Sequence, residues 1–172
     1  MNHDILSKGR FLRLVRRGKW EFAQRRNASA VVGIVATTAD GNILLIEQPR
    51  IPLGSSILEL PAGLVGDDAG HEDEPIIAAA QRELEEETGY TASSWSVLTR
   101  GPTSAGLTDE IITLVRATDA IRTGAGGGVA GEQITVHAIP LATAGTWLKE
   151  RERDGQFIDP KIYAGLWFAS RT

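Results

Sequence analysis

Hydrophobic and polar positions along this 172-residue chain follow two periods, and the changes of period predict its elements. Ser29 to Thr38 is β-branched and apolar and reads as a buried strand. Asp40-Gly41 is a turn signal, and Ile43 to Glu47 is the strand after it. Pro49, Pro52 and Gly54 make 49–56 a loop, Ile57 to Leu60 is a short strand ending at Pro61, and 61–73 is a Gly/Asp-rich loop. Over 74–88 the period lengthens. Ile76, Ile77, Ala80 and Leu84 form a stripe at helical spacing, Pro75 suits a first turn, and Gly89 suits the residue after the end. Strands follow at 94–100, 110–117 and 133–139, and the run Gly124 to Gly131 reads as a flexible loop. Two further helices are expected at 141–153 and 160–170. Upstream, residues 10–26 read as strand and turn material, with Arg17-Gly18-Lys19 at the turn. No repeat is present and no linker is long enough to divide the chain. The pattern is a mixed α/β layer fold, residues 29–172, preceded by an N-terminal antiparallel strand region, residues 1–28.

Composition narrows the chemistry. The chain has no cysteine, so disulfides, zinc thiolate sites and cysteine nucleophiles are excluded. Its formal charge of −4 argues against a general nucleic-acid binder. The same charge opposes a phosphate ester substrate unless divalent cations intervene. No apolar run approaches the ~18 residues of a membrane span. Met1 to Arg10 lacks the apolar core and cleavage site of a signal peptide, so a cytoplasmic location without membrane partners is expected. Positive charge collects early, at Lys8, Arg10, Arg13, Arg16, Arg17, Lys19, Arg25 and Arg26, between Phe11, Leu12, Leu14, Val15, Trp20 and Phe22. This segment is either an exposed hairpin, as at an oligomer interface, or part of a substrate site.

The charge run of the predicted helix carries the sharpest signal. Glu83, Glu86 and Glu87 stand at i, i+3 and i+4 on one face, with Cβ atoms roughly 5–6 Å apart. At an effective dielectric near ~20, each like-charge pair costs about 3 kcal/mol, and far less on a solvated face. Two readings fit: a solvated acidic face, or a cluster of hard oxygen ligands for Mg²⁺ that turns repulsion into affinity. The surroundings favour the second. A helix stop follows at Gly89, and a Pro61-Ala62-Gly63 turn precedes it, where glycine allows close backbone approach. Arg82 can reach Glu86 at i+4, and Glu85 points elsewhere, as plain surface.

Arg82-Glu83-Leu84-Glu85-Glu86-Glu87-Thr88-Gly89-Tyr90 resembles the second half of the Nudix box, and Glu74 sits at the matching distance before Arg82. The box glycine would fall at Asp68; Gly66 to His71 reads as an insertion between Gly63 and Glu74. Gln48-Pro49-Arg50, Leu58-Glu59-Leu60-Pro61-Ala62-Gly63-Leu64 and Ser104-Ala105-Gly106-Leu107-Thr108-Asp109-Glu110 are similar to the ADP-ribose and nucleoside diphosphate sugar pyrophosphatase branch. Asp159-Pro160-Lys161-Ile162-Tyr163 resembles the family's last helix.

The resemblance implies a Nudix-type α/β/α sandwich with a mixed sheet, and an N-terminal region that dimerises. It implies a magnesium site, with manganese as substitute, built from Glu83, Glu86, Glu87, Glu132 and the carbonyl of Ala62. Glu86 or Glu132 would handle the proton of the attacking water, and Arg82 would orient the glutamates. Arg50 would contact phosphate, Trp20 would stack on the base, often from the partner subunit, and Leu64 and Gly106 would line the substrate. Each has a plainer alternative: Arg50 as a surface charge, Trp20 as a packing residue, Glu132 as a loop acid, Asp109 and Glu110 as flanks of a strand. The implied reaction is hydrolysis of ADP-ribose or a related nucleoside diphosphate sugar by a homodimer. GDP-mannose hydrolysis and a non-catalytic nucleotide-binding sensor remain as alternatives. His3, His71 and His137 show no ligand spacing, and no serine has a paired histidine.

Overall fold

The computed structural model describes residues 3–26, 28–66, 73–129 and 131–171. A mixed sheet lies between helix α1 (Ile76–Thr88) on one face and helices α2 (Ala144–Arg153) and α3 (Lys161–Ala169) on the other, the expected α/β/α sandwich. Strand alternation builds the two layers. From β4 (Ala30–Thr38), Val32, Ile34 and Ala36 pack against Ala79, Ala80 and Leu84 of α1. Val35 faces the other way, into a cluster with Leu148 of α2 and Ile162 of α3. In β5 (Asn42–Arg50), Leu44 joins the first cluster, while Ile43 and Leu45 join the second.

The central path of the sheet runs β12 (Phe157–Ile158), β6 (Ser55–Glu59), β5, β4, β10 (Ile111–Arg122), β8 (Tyr90–Thr91). Three strands branch from it: β7 (Ala62–Val65) pairs with β4, β9 (Ser94–Pro102) with β10, and β11 (Thr135–Pro140) with β5. Strands β4 and β10 run parallel, while β7 lies antiparallel to β4 with Gly33 opposite Ala62. That pairing brings the Ala62-Gly63 backbone beside α1.

The N-terminal region forms a separate antiparallel sheet of β1 (Asp4–Lys8), β2 (Leu12–Arg17) and β3 (Trp20–Arg25), with its turn at Gly18-Lys19. Strand β1 goes beyond the predicted 10–26: its residues are all exposed, so no burial period marked it. The sheet is tied to the core by Ala23, whose N–H donates to the Leu107 carbonyl at 2.8 Å.

Several expected boundaries move. The 49–56 loop is mostly structured: β5 continues through Pro49 to Arg50, a single tight turn follows at Ile51–Leu53, and β6 begins at Ser55. An edge position tolerates Pro49 here. The predicted loop 61–73 contains β7, and β10 runs to Arg122 rather than 117. Helix α1 begins at Ile76 with Pro75 at its cap position. The proposed insertion lies, beyond Gly66, outside the described residues. No helix among the described residues is long and apolar enough to cross a membrane.

The glycine-rich run is not a free linker. The N–H groups of Gly127 and Gly128 donate to the carbonyls of Glu87 and Glu86 at 2.9 and 3.0 Å. The N–H groups of Thr123 and Gly124 donate to the Gly89 carbonyl at 2.8 and 2.9 Å. Carbonyls at a helix C-terminus lack intrahelical donors, and residues 123–128 supply them.

Candidate functional site

Helix α1 presents its glutamates in distinct settings. Leu84 is buried in the core, which turns Glu85 to solvent, as expected, and Glu83 and Glu87 towards β7. Glu87 is 6 % exposed, and its Oε2 accepts the Ala62 N–H at 2.9 Å. Burial raises its pKa to about 8; the Ala62 hydrogen bond opposes this, and the charges of Glu83 and Glu132 add to it. Glu83 lies against Gly63. A Cβ at residue 63 would overlap the Glu83 carboxylate, so glycine here allows the close approach and any larger residue would displace that side chain.

Arg82 is the clamp of the cluster. Its Nη1 donates to Glu83 Oε1 at 2.9 Å and to Glu86 Oε2 at 3.2 Å, the second being the predicted i+4 contact. Its Nη2 reaches Glu74 Oε2 at 3.3 Å and the Leu64 carbonyl at 3.4 Å. Burial alone would lower the pKa of this guanidinium. The hydrogen bond of Glu74, with the charge and hydrogen bond of Glu83, outweighs burial and holds it above its usual value. Glu74, to which the sequence assigned no role, is thus an anchor for Arg82.

A cavity of about 450 Å³ opens between α1, β7, the β12–α3 elbow and the 132 loop. Glu83, Glu87, Glu132, Arg50, Ala62 and Leu64 all line it. Glu86 sits beside the cavity on Arg82 and is not among its lining residues. Glu132 is held by the N–H of Val129 on its Oε2 at 3.0 Å. Arg50 donates its Nε to Glu59 Oε2 at 2.7 Å.

Two predicted residues stand elsewhere. Trp20, 66 % exposed, and Gly106 line a different hollow with Phe22, Arg17 and Asp109. Within one chain they do not reach the glutamates, because the N-terminal sheet meets the core at Ala23 and Leu107 rather than at α1. Sequence reading missed the pairing partners around the cavity. Arg50 meets Glu59, Arg25 meets Glu110 at 2.8 Å, and Lys161 meets Asp159. Glu59, the one charge in the predicted strand Ile57 to Leu60, was the legible hint.

The donor set suits a hard divalent cation. Six carboxyl groups line the cavity, at Glu59, Glu83, Glu87, Glu110, Glu132 and Asp159, against three cations, Arg25, Arg50 and Lys161. Full ionisation leaves an excess of negative charge; burial first, and then the charges of Glu83 and Glu132, favour the protonated form of Glu87. Among the described residues, no three acidic or histidine side chains stand in ligating geometry as folded. The reason is local: Arg82 holds Glu83 and Glu86, while an amide holds Glu87. Rotamer changes about these side chains would free hard oxygens on one wall, so the residues fit the ion chemically. Gly63→Ala tests the cradle: it should push Glu83 aside and lower metal affinity at least tenfold by calorimetry, with the far-UV spectrum unchanged.

Comparison with known proteins bears on the family. A family profile described as NUDIX domain matches residues 27–156. The chain is 44% identical over 81 residues to an "ADP-ribose pyrophosphatase" of Bacillus subtilis (strain 168), covering 47% of this chain and 41% of that protein. It is 45% identical over 87 residues to an "ADP-ribose pyrophosphatase" of Mycobacterium tuberculosis (strain ATCC 25618 / H37Rv), covering 51% of this chain and 40% of that protein. The chain thus spans about two fifths of the length of these relatives. A solved structure titled "Crystal structure of ADP compounds hydrolase" superposes with a TM-score of 0.72 at 22% identity, covering 99% of this chain and 90% of that one. At that identity the likeness bears on the fold.

Proposed function

Because the chain belongs to the NUDIX domain family, we propose that it hydrolyses the diphosphate bond of ADP-ribose or a related nucleoside diphosphate sugar, using magnesium or, as substitute, manganese. The observation that carries this reading is the shared cavity of Glu83, Glu87, Glu132 and Arg50, with Arg82 clamping the helix glutamates. The names of the matching relatives support the choice of substrate.

Glu83, Glu87 and the Ala62 carbonyl would hold the metal, with Glu86 shared and Glu132 reaching from the loop. Bound magnesium supplies neutralisation of the phosphate oxygens and acidifies water within its reach. Arg82 keeps Glu83 and Glu86 in place. Glu86 or Glu132 takes the proton of the attacking water as its oxygen bonds to one phosphorus and the bridging oxygen leaves with the other. Arg50, tied by Nε to Glu59, presents its remaining N–H groups to the phosphate. Leu64 lines the same cavity. ADP-ribose gives AMP and ribose 5-phosphate.

Trp20 and Gly106 serve the base from the neighbouring hollow, or from a partner subunit in a homodimer. Ile5, Leu6, Phe11, Leu12 and Leu14 are exposed on or beside the N-terminal sheet, which suits such a dimer. We place the protein in the cytoplasm, with no nucleic-acid or membrane partner.

The test is a panel of ADP-ribose, other sugar nucleotides, dinucleotides and triphosphates with Mg²⁺, read by phosphatase-coupled release. ADP-ribose should turn over fastest; GDP-mannose in first place would reassign the base preference. Tight binding without turnover of any compound would make the protein a sensor. Mg²⁺ at ~100 times its Kd should stabilise the fold by about 2.7 kcal/mol. A scaffold with an incidental acidic helix would show no such gain.

A further inference from the structure

Next to the glutamate cavity is a second hollow that the proposed reaction leaves unused. It lies where β2 and β3 meet β9 and the 109–111 segment, and has a volume of about 370 Å³. Arg13, Gln24, Arg25, Arg100, Asp109 and Glu110 line it. Arg25, Val31 and Glu110 are walls of both spaces, so the two adjoin.

The charge balance reverses across that wall. Carboxyl groups outnumber cations in the glutamate cavity, whereas three guanidiniums face two carboxylates here. Arg25 is committed to Glu110 at 2.8 Å. Arg13 donates only its Nε, to Gln24 Oε1 at 2.7 Å, and Gln24 in turn holds the Asp109 carboxylate. Neither Arg13 nor Arg100 has an ion pair among the described residues. A guanidinium carries five N–H donors in a planar fork matched to phosphate oxygens. Both forks line one hollow with N–H groups to spare, and an anion between them would take those donors. Among the described residues, the wall holds no aromatic ring on which a base could stack.

We infer that this hollow binds a phosphate monoester, gripped by Arg13 and Arg100. The phosphate is carried either by the substrate beyond its diphosphate or by a separate phosphorylated ligand. Its relation to the substrate rests on the reaction proposed above; the anion site itself does not.

The test uses the double variant Arg13→Gln/Arg100→Gln and two probes. In the first arm, inorganic phosphate is titrated against each protein with thermal unfolding as readout. Phosphate should raise the Tm of the wild type and leave that of the variant unchanged. The readout is each protein's own shift on adding phosphate, because Arg13→Gln also removes the bond to Gln24. In the second arm, ADP-ribose is compared with ADP-ribose carrying an added phosphate on either ribose. A substrate-borne phosphate should lower the wild-type KM roughly tenfold, and the variant should lose that preference while keeping its kcat on plain ADP-ribose. Arginine-dependent binding in the first arm alone assigns the site to a separate ligand. No arginine-dependent effect in either arm overturns the inference. Failure of the wild type to cleave any nucleotide sugar overturns the proposed reaction instead, and the first arm still decides the anion site.

Discussion

Glu87→Gln is expected to lower kcat at least ~100-fold while making the metal-free protein more stable. Both effects have one origin. Glu87 is a carboxyl group buried beside Glu83 and Glu132, with one amide donor from Ala62. Ionising it there is costly, and a divalent cation would offset the cost. Glutamine keeps the shape and removes the charge, so it loses the ion and the turnover together. The sign of the pH effect follows from the raised pKa. The unfolded chain releases this proton near 4.5 and the folded chain near 8. Stability is therefore fully present below about 4.5 and declines as pH rises through about 8. By pH 7 the loss is on the order of 3 kcal/mol. Unfolding of EDTA-treated protein between pH 5 and pH 9 should show this decline, and Glu87→Gln should flatten it. Glu86→Gln should cost a similar factor in kcat without the stability gain, because Glu86 is half-exposed on Arg82. Near-normal turnover in both variants would sink the assignment of this helix to catalysis.

The second large effect is expected at a backbone contact rather than at a charged side chain. Gly126 has φ +66°, and a Cβ there would overlap the Thr88 carbonyl carbon and the Gly89 nitrogen, both backbone atoms. Nothing at that point can rotate away. Gly126→Ala should cost about 2–4 kcal/mol, which for a domain of this size lowers Tm on the order of 5–10 °C. The loss should carry a functional signature. Gly127 and Gly128 hold the last carbonyls of α1, and the same segment leads through Val129 to Glu132. Undocking it shifts Glu132 relative to Glu83 and Glu87, so kcat should fall by more than the unfolded fraction explains. A variant as stable and as active as the wild type would show that the docking has no consequence. Glu132→Gln separates the roles: a loss below threefold would leave Glu86 as the proton acceptor.

Features that depend on neighbours within one helical turn or one strand are legible in the amino-acid sequence. The stripe Ile76, Ile77, Ala80, Leu84 set the buried side of α1, and 3.6-residue periodicity then put Glu85 in solvent and Arg82 on Glu86. The alternation of β4 and β5 determined the layers, and the box pattern determined the family. Only the tertiary structure decided how the three glutamates differ. Glu87 is buried because β7 runs past it, Glu83 lies against Gly63 and is held by Arg82, and Glu86 stays at the rim. The partners Glu59, Glu110 and Asp159 belong to separate strands and turns, brought to one cavity by sheet register. No local period encodes that. The same holds for the glycine-rich run, whose composition suggests freedom. It is docked because orphan carbonyls at the end of α1 need donors, and at Gly126 the approach leaves no room for a Cβ. Trp20 and Gly106 were similar in motif yet stand in another hollow, since motif spacing carries no information on where two sheets meet.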